Sequence, residues 1–244
     1  AAYGAASWSA LCASALTYAY YTLDALDGKH ARNTGRSSPL GELLDHGCDN
    51  LGAAFQTVTF LMVVGWDDQR TMWYLVQAMQ LVFLCQHVAP YAAPDRTIRY
   101  GALSGPGELV HLAVAVMIAH AWLGRAPPIC VQTARLLYRT AVSLVVVQLL
   151  NVLFRKQDRS AVLLLVCIGM RCCCCTAAGD LYHTLVDGVY LSVLTLDIIL
   201  AKMAGRTFHI IVVAMTAVSV LSDTAALACM ALYYGAVLWD VAAV

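Results

Sequence analysis

Charge is scarce in this chain. Asp, Glu, Lys and Arg make up 12% of its 244 residues, hydrophobic residues make up 61%, and the mean hydropathy is +0.70. A soluble domain has about a quarter of its residues charged. A globule of this size with so few charges cannot cover its surface for water, so the composition excludes an ordinary soluble protein and leaves an integral membrane protein. An excess of either sign is missing too, because Lys plus Arg and Asp plus Glu both number 15. That balance excludes the basic surface a nucleic acid would need, and no nucleic-acid partner is expected. No run shows sustained strict alternation, which argues against a β-barrel. Backbone polar groups in lipid must be paired within their own segment, which leaves helices.

Two further features belong with these absences. Ten cysteines are present, yet most stand singly inside apolar runs, where Cys behaves as a small hydrophobe, so no disulfide framework is implied. In the run RCCCC, Cys172 to Cys175, four consecutive thiols on a helix point in four directions and cannot converge on zinc. A small-residue helix end is the plain reading, with palmitoylation near the interface as the other. The sequence also starts at Ala1 without a signal-peptide n-region and stops inside the apolar run VLWDVAAV. The expectation is the inner part of a longer protein, trimmed at both ends, with residues 1–244 forming a single transmembrane domain.

Apolar runs divided by short polar breaks predict about eight spans, near 5–23, 42–65, 71–93, 106–124, 136–154, 160–178, 184–201 and 207–239. The last is long enough to hide a break at Ser222-Asp223. Basic residues test the orientation. The breaks after alternate spans, starting with the first, hold ten of them: Lys29, Arg32 and Arg36; Arg96 and Arg99; Arg155, Lys156 and Arg159; Lys202 and Arg206. The opposite breaks hold five: Arg70, Arg125, Arg135, Arg139 and Arg171. The two-to-one excess places the first break on the cytosolic side.

That first break is where the charge collects. The stretch LDALDGKHARNTGRSSPLGELLDHGCDN, residues 23–50, holds four aspartates, a glutamate and three basic residues. Asp24 and Asp27 share a helix face at the end of one span, and Asp45 and Asp49 share a face near the start of the next. Between them the turn-rich link carries Gly28, Gly35, Pro39 and Gly41. Two antiparallel helices joined in this way bring four carboxylates together at the membrane surface. Four such groups repel one another unless a positive charge sits among them, and a hard divalent cation, or two, suits an all-oxygen site. A pair of cations about 3.5–4 Å apart suits in-line displacement at phosphorus. Gly28 and Ala31 are small enough to admit a bulky ligand against the helix, and Arg32 offers a planar donor fork for phosphate. A solvated loop with helix-capping acids, Glu42 and Asp45 among them, is the bland alternative.

The spacing reads D-x-x-D-G-x-x-A-R, eight residues, then G-x-x-x-D-x-x-x-D. In this order Asp24, Asp27, Gly28, Ala31, Arg32, Gly41, Asp45 and Asp49 resemble the signature of the CDP-alcohol phosphotransferases. The wording LDALDGKHAR and SSPLGELLDHGCDN resembles the eukaryotic choline and ethanolamine phosphotransferase branch. The resemblance implies a site at the cytosolic membrane face, with Asp24, Asp27, Asp45 and Asp49 holding Mg²⁺ or Mn²⁺, two ions in the family. It implies that Asp27, Gly28, Ala31, Arg32 and Gly41 bind the CDP-alcohol. Diacylglycerol would be the acceptor, its hydroxyl attacking the phosphorus next to the choline or ethanolamine while CMP leaves. The resemblance further implies a homodimer in the bilayer of the endoplasmic reticulum or Golgi.

Three residues are candidates for taking the acceptor's proton. Glu108, in LSGPGELVHL, begins the fourth span, where the branch has a Glu. His209, in AKMAGRTFHIIVVAMT, lies about five residues before the position the branch's histidine would take. Asp49 is the third. Glu108 as a helix cap and His209 as a hydrogen-bonded membrane histidine are the plain alternatives. Asp187, Asp197 and Asp223 are expected to pair with Lys202, Arg206 or backbone groups. His87, His111, His120 and His183 show no ligand-like spacing and read as core or interface residues. The Ala-, Gly- and Ser-rich first span suits close helix packing. Three rival readings stay open: a cation carrier, an inactive relative that keeps the fold, and an enzyme of the same chemistry with an inositol or glycerol-phosphate substrate. Choline and ethanolamine are not distinguished.

Overall fold

A computed structural model describes residues 2–66, 68–92, 106–124, 129–156, 159–174 and 179–242. The described residues form nine helices and no strand: α1 (Ala2–Asn33), α2 (Pro39–Val63), α3 (Gln69–Ala92), α4 (Pro106–Leu123), α5 (Val131–Lys156), α6 (Arg159–Cys174), α7 (Leu181–Ala204), α8 (Ile210–Leu221) and α9 (Asp223–Ala242). The all-helical expectation holds, and the eighth run is divided at Ser222, as the sequence predicts. The division has a local cause. Ser222 takes an extended conformation (φ −160°, ψ 118°), and its backbone N–H still bonds Val218 O, closing one helix before the next begins. Two helical stretches, Val131–Phe154 and Leu181–Ala204, are long and apolar enough to cross a membrane, and Gly107–Leu123, Ser160–Cys172 and Ile210–Leu221 are shorter apolar helices. The cysteine run does end a helix at Cys174; Cys175 lies outside the described residues, as do Arg96, Arg99 and Arg125.

Helix α7 is the axis of the molecule. Sixteen of its 24 residues are buried, so it has no face left for solvent or lipid over most of its length. α2, α3, α8 and α9 surround it, α5 covers α3, α6 joins α5 to α8, and α1 pairs with α4. The principal apolar cluster includes Leu84 and Val88 of α3, Leu149 of α5, Leu164 of α6, Tyr190 and Leu194 of α7 and Val212 of α8. Close approach depends on small residues. A Cβ on Gly188 of α7 would come within 3.1 Å of Ala54 and 3.2 Å of Val76, and a Cβ on Gly47 of α2 within 3.0 Å of Leu196.

Buried polar groups of α7 find partners at three levels. In the middle, Asn50 Nδ2 donates to Ser192 O at 2.9 Å, while Gln80 Nε2 donates to Asn50 O at 3.0 Å, linking α3, α2 and α7. Toward the end that carries residues 24–49, Asp197 accepts from Arg206 Nη2 at 2.5 Å, Tyr233 Oη at 2.7 Å and the His209 backbone N–H at 2.7 Å. The expected pairing with Arg206 is therefore present, and Lys202 bonds Glu42 Oε1 at 2.5 Å. At the opposite end Asp187, with no exposed surface, is paired with Arg171 of α6 and accepts from Trp73 Nε1 of α3 at 2.7 Å.

His183, read from the sequence as a core or interface residue, lies between two carboxylates. Its Nδ1 meets Asp223 Oδ2 at 2.8 Å and its Nε2 lies 3.3 Å from Asp187 Oδ2. One turn of α7 separates His183 from Asp187, but Asp223 is 40 residues away, and only the return of α9 along α7 brings it in. Arg171 is the counter-ion of a carboxylate sealed from water, and it also donates to Ser219 Oγ at 2.9 Å. Removing one member of a buried pair costs about 3–5 kcal/mol, because the other charge is left uncompensated. Arg171→Met in the full-length protein is therefore expected to lower stability by about that much, read as the unfolding midpoint in detergent. Asp223→Asn, on the partly exposed side, is expected to cost no more than about 1 kcal/mol. Equal midpoints for Arg171→Met and the parent protein would contradict the assignment.

Candidate active site

The local sequence explains how α1 stops and α2 starts. Gly35 takes a left-handed conformation (φ 66°), its N–H bonds Arg32 O at 3.2 Å and the N–H of Arg36 bonds Ala31 O at 2.9 Å. This is the Schellman closure, which needs a residue free to adopt positive φ. Three residues later Ser38 is the N-cap of α2, its Oγ accepting from Gly41 N–H at 3.0 Å, with Pro39 at the first helical position. The turn sends α2 back along α1.

The register of α2 then separates two faces. Leu43, Gly47, Asn50 and Ala54 are buried, and all four meet α7. Gly41, Leu44, Asp45, Cys48 and Asp49 fall on the neighbouring face, turned to α1. On α1, Tyr20, Asp24, Asp27, Gly28, Ala31 and Arg32 recur at helical spacing and face them. The result is a cleft of about 900 Å³ between the two helices, completed by Arg36, Ser37 and Ser38 of the turn. All eight residues of the sequence signature line it.

One carboxylate oxygen from each of Asp24, Asp45 and Asp49 lies within 4.8 Å of the other two. Asp27 lines the same cleft, exposed one turn from Asp24 and outside that group of three. Burial, then the neighbouring charges of Asp49 and Asp45, push the Asp24 carboxyl up to about 7. Crowding of this kind is what a divalent cation relieves, and half-buried oxygen donors from two helices are the donor set Mg²⁺ or Mn²⁺ prefers. The residues present fit such an ion. At the other end of the cleft the Arg32 guanidinium lies over Gly28, 3.4 Å from where a Cβ would stand. A side chain at position 28 would compete for the space in front of that fork.

Other residues hold the cleft in place. Lys202 ties Glu42, in the first turn of α2, to the end of α7. Tyr20 Oη donates to Asp49 Oδ1 at 2.5 Å, crossing from α1 to α2. His46 lines the cleft with the buried ring of His87 behind it, centroids 5.2 Å apart, and His87 Nδ1 donates to Phe83 O at 2.9 Å. The sequence pattern does not mark Tyr20, Arg36 or His46 as cleft residues. Tyr20 stands one turn before Asp24 on the same face, a signal that is present in the spacing; Arg36 and His46 have only their proximity to signature residues.

Glu108 and His209 are placed elsewhere. Glu108 is exposed in the first turn of α4, which packs on the side of α1 carrying Tyr18 and Tyr21, against which the His111 ring rests at 5.9 and 5.2 Å. His209 is exposed and caps α8, its Nδ1 accepting from Ile211 N–H at 3.1 Å. Neither lines the cleft, whereas Asp49 does.

Similarity to known proteins agrees with this geometry. The chain is 53% identical over 53 residues to choline/ethanolaminephosphotransferase 2 of Arabidopsis thaliana, covering 22% of this chain and 14% of that protein. It is 32% identical over 121 residues to cholinephosphotransferase 1 of Xenopus laevis, covering 47% and 27%, and 34% identical over 110 residues to the Mus musculus protein of the same name, covering 45% and 27%. The chain thus spans between 14% and 27% of the length of these relatives. A family profile described as CDP-alcohol phosphatidyltransferase matches residues 2–126, half of the chain and every residue that lines the cleft. The chain belongs to the CDP-alcohol phosphatidyltransferase family.

Proposed function

We propose that the full-length protein transfers phosphocholine or phosphoethanolamine from a CDP-alcohol to diacylglycerol, releasing CMP and forming phosphatidylcholine or phosphatidylethanolamine. One observation carries this reading: the eight signature residues, drawn from two helices, line a single cleft in which three carboxylates converge. The names of the relatives supply the head groups. In this reading residues 1–244 belong to one transmembrane catalytic domain of about eight spans, the cleft faces the cytosol, and the protein is a homodimer of the endoplasmic reticulum or Golgi membrane. The excess of basic residues at the cleft end supports that orientation.

Each part of the cleft has a task. Asp24, Asp45 and Asp49, with Asp27 beside them, would hold Mg²⁺ or Mn²⁺. Such an ion, when bound, neutralises charge on the phosphates and stabilises the departing oxygen. Gly28, Ala31 and Gly41 leave room for the nucleotide, and Arg32 offers two parallel N–H donors to phosphate oxygens. The acceptor hydroxyl attacks the phosphorus that bears the choline or ethanolamine. The P–O bond to CMP breaks, CMP departs with the bonding electrons, and the hydroxyl proton goes to a base. Of the three candidates only Asp49 lines the cleft, and its two oxygens are committed to Tyr20 and to the cation, so the base in this reading is solvent water in the open cleft. Positioning and charge neutralisation carry most of the rate in reactions of this class. Arg32 and Arg36 in the cleft disfavour a cation carrier, since both would repel a passing ion.

The test uses the full-length protein in membranes with diacylglycerol and labelled CDP-choline or CDP-ethanolamine, with Mg²⁺ or Mn²⁺ supplied or chelated. Chelation is expected to abolish product. Losing an outer-shell partner already costs about 10–100-fold, so Asp45→Asn, which removes a ligand, is expected to cost more. Asp68→Asn, at the far end where Asp68 caps α3 through Thr71, is expected to leave the rate unchanged. Metal-independent product, or an Asp45→Asn variant as active as the parent, would sink the proposal. Arg32→Gln removes charge-assisted bonds worth about 1.5–3 kcal/mol. It is expected to lower kcat/KM for the CDP-alcohol by about 10–100-fold, mainly through KM; an unchanged KM would remove Arg32 from the nucleotide site.

A further inference from the structure

The hydrogen bond from Tyr20 to Asp49 has a bearing on the cation site that packing does not account for. Tyr20 sits one turn before Asp24 on α1, and its hydroxyl reaches across the cleft to Asp49 Oδ1 at 2.5 Å, between residues 29 apart in sequence. Tyr20 is 42% exposed and lines the cleft, so the core does not hold it in place. An aromatic ring with this much exposed surface gains little from burial. The polar tip is what the position uses.

An ionised carboxylate only accepts hydrogen bonds, and its two oxygens rotate together about one bond. A neutral phenol committed to Oδ1 stops that rotation and leaves the second oxygen as the one Asp49 can offer. It adds no charge to a cluster already crowded with three carboxylates, which a second acid would do and a lysine would undo by replacing the cation. Metal-ligating side chains are commonly oriented by such neutral outer partners. We infer that Tyr20 is a positioning residue for the Asp49 carboxylate, setting the affinity of the Asp24–Asp45–Asp49 cluster for a divalent cation. The inference rests on the function proposed above, in which those aspartates hold Mg²⁺ or Mn²⁺.

The experiment measures Mn²⁺ alone by electron paramagnetic resonance on the full-length protein in lipid nanodiscs, for the parent, Tyr20→Phe, Tyr20→Leu and Asp45→Asn. The same preparations are assayed for transfer over a range of free Mn²⁺. Tyr20→Phe keeps the ring and loses the hydroxyl. It is expected to raise the Mn²⁺ Kd by about 10–100-fold, with the Mn²⁺ needed for half-maximal rate rising in parallel and the rate at saturating Mn²⁺ recovering toward the parent's. Tyr20→Leu is expected to show the same rise. A Kd unchanged in Tyr20→Phe overturns the inference, as does a Kd raised by Leu but not by Phe, which would make the residue a packing element. Parent protein that binds Mn²⁺ and loses it on Asp45→Asn would keep the function standing even then. A parent that binds no Mn²⁺ overturns both.

Discussion

Everything at the cleft depends on how α2 seats on α7. Gly47 and Gly188 let the two backbones approach, and Asn50, fully buried, donates to Ser192 O while its own carbonyl accepts from Gln80. Those contacts leave α2 little freedom to rotate about its axis. A helix presents a new face every 100° or so, and Asp49 directly precedes Asn50. Rotation that released Asn50 from α7 would also carry Asp45 and Asp49 away from α1. The cleft-lining face is thus a consequence of a buried one. The Lys202–Glu42 bond pins the first turn of the same helix to the end of α7, so α2 is held at both its start and its middle.

The two ends of the helical bundle treat carboxylates differently. Asp187 is sealed in and carries its own counter-ion, Arg171, together with Trp73 and His183, so its charge is settled within the fold. Asp24, Asp45 and Asp49 are half-buried and crowd one another, which drives Asp24 toward holding a proton near neutral pH. One arrangement has its charge matched within the fold. The other is unfavourable until something positive enters, and that instability is what makes it receptive. Arg32 and Arg36 line the same cleft, which suits phosphate arriving with the cation.

Much of this is legible in the order of residues. The helices, the break at Ser222 and the signature residues of the cleft follow from local rules: apolar period, Gly and Pro placement, and acids at i, i+3 and i, i+4. What escapes the sequence involves long separations or the direction of a side chain. His183 and Asp223 meet only because α9 returns along α7. Lys202 reaches Glu42, 160 residues away. Glu108 and His209 are candidates by resemblance to positions in other sequences, and their distance from the cleft depends on which side of α1 faces α4 and where α8 begins. Neither fact has a local signal.

Local chemistry is enough to make the chain helical and to make eight residues, all between positions 24 and 49, one chemical unit. Composition argues against an ordinary soluble surface, and the spacing places each pair of aspartates on one face of its helix. Which faces meet is a matter of the fold. Burial of Leu43, Gly47 and Asn50 turns Asp45 and Asp49 toward α1, and only then does the hydroxyl of Tyr20, 29 residues before Asp49, come within bonding distance of it. Periodicity within a helix is a property of the backbone and shows in the sequence. The rotation of one helix against another is set by packing among residues far apart in the chain, and it shows only in the fold.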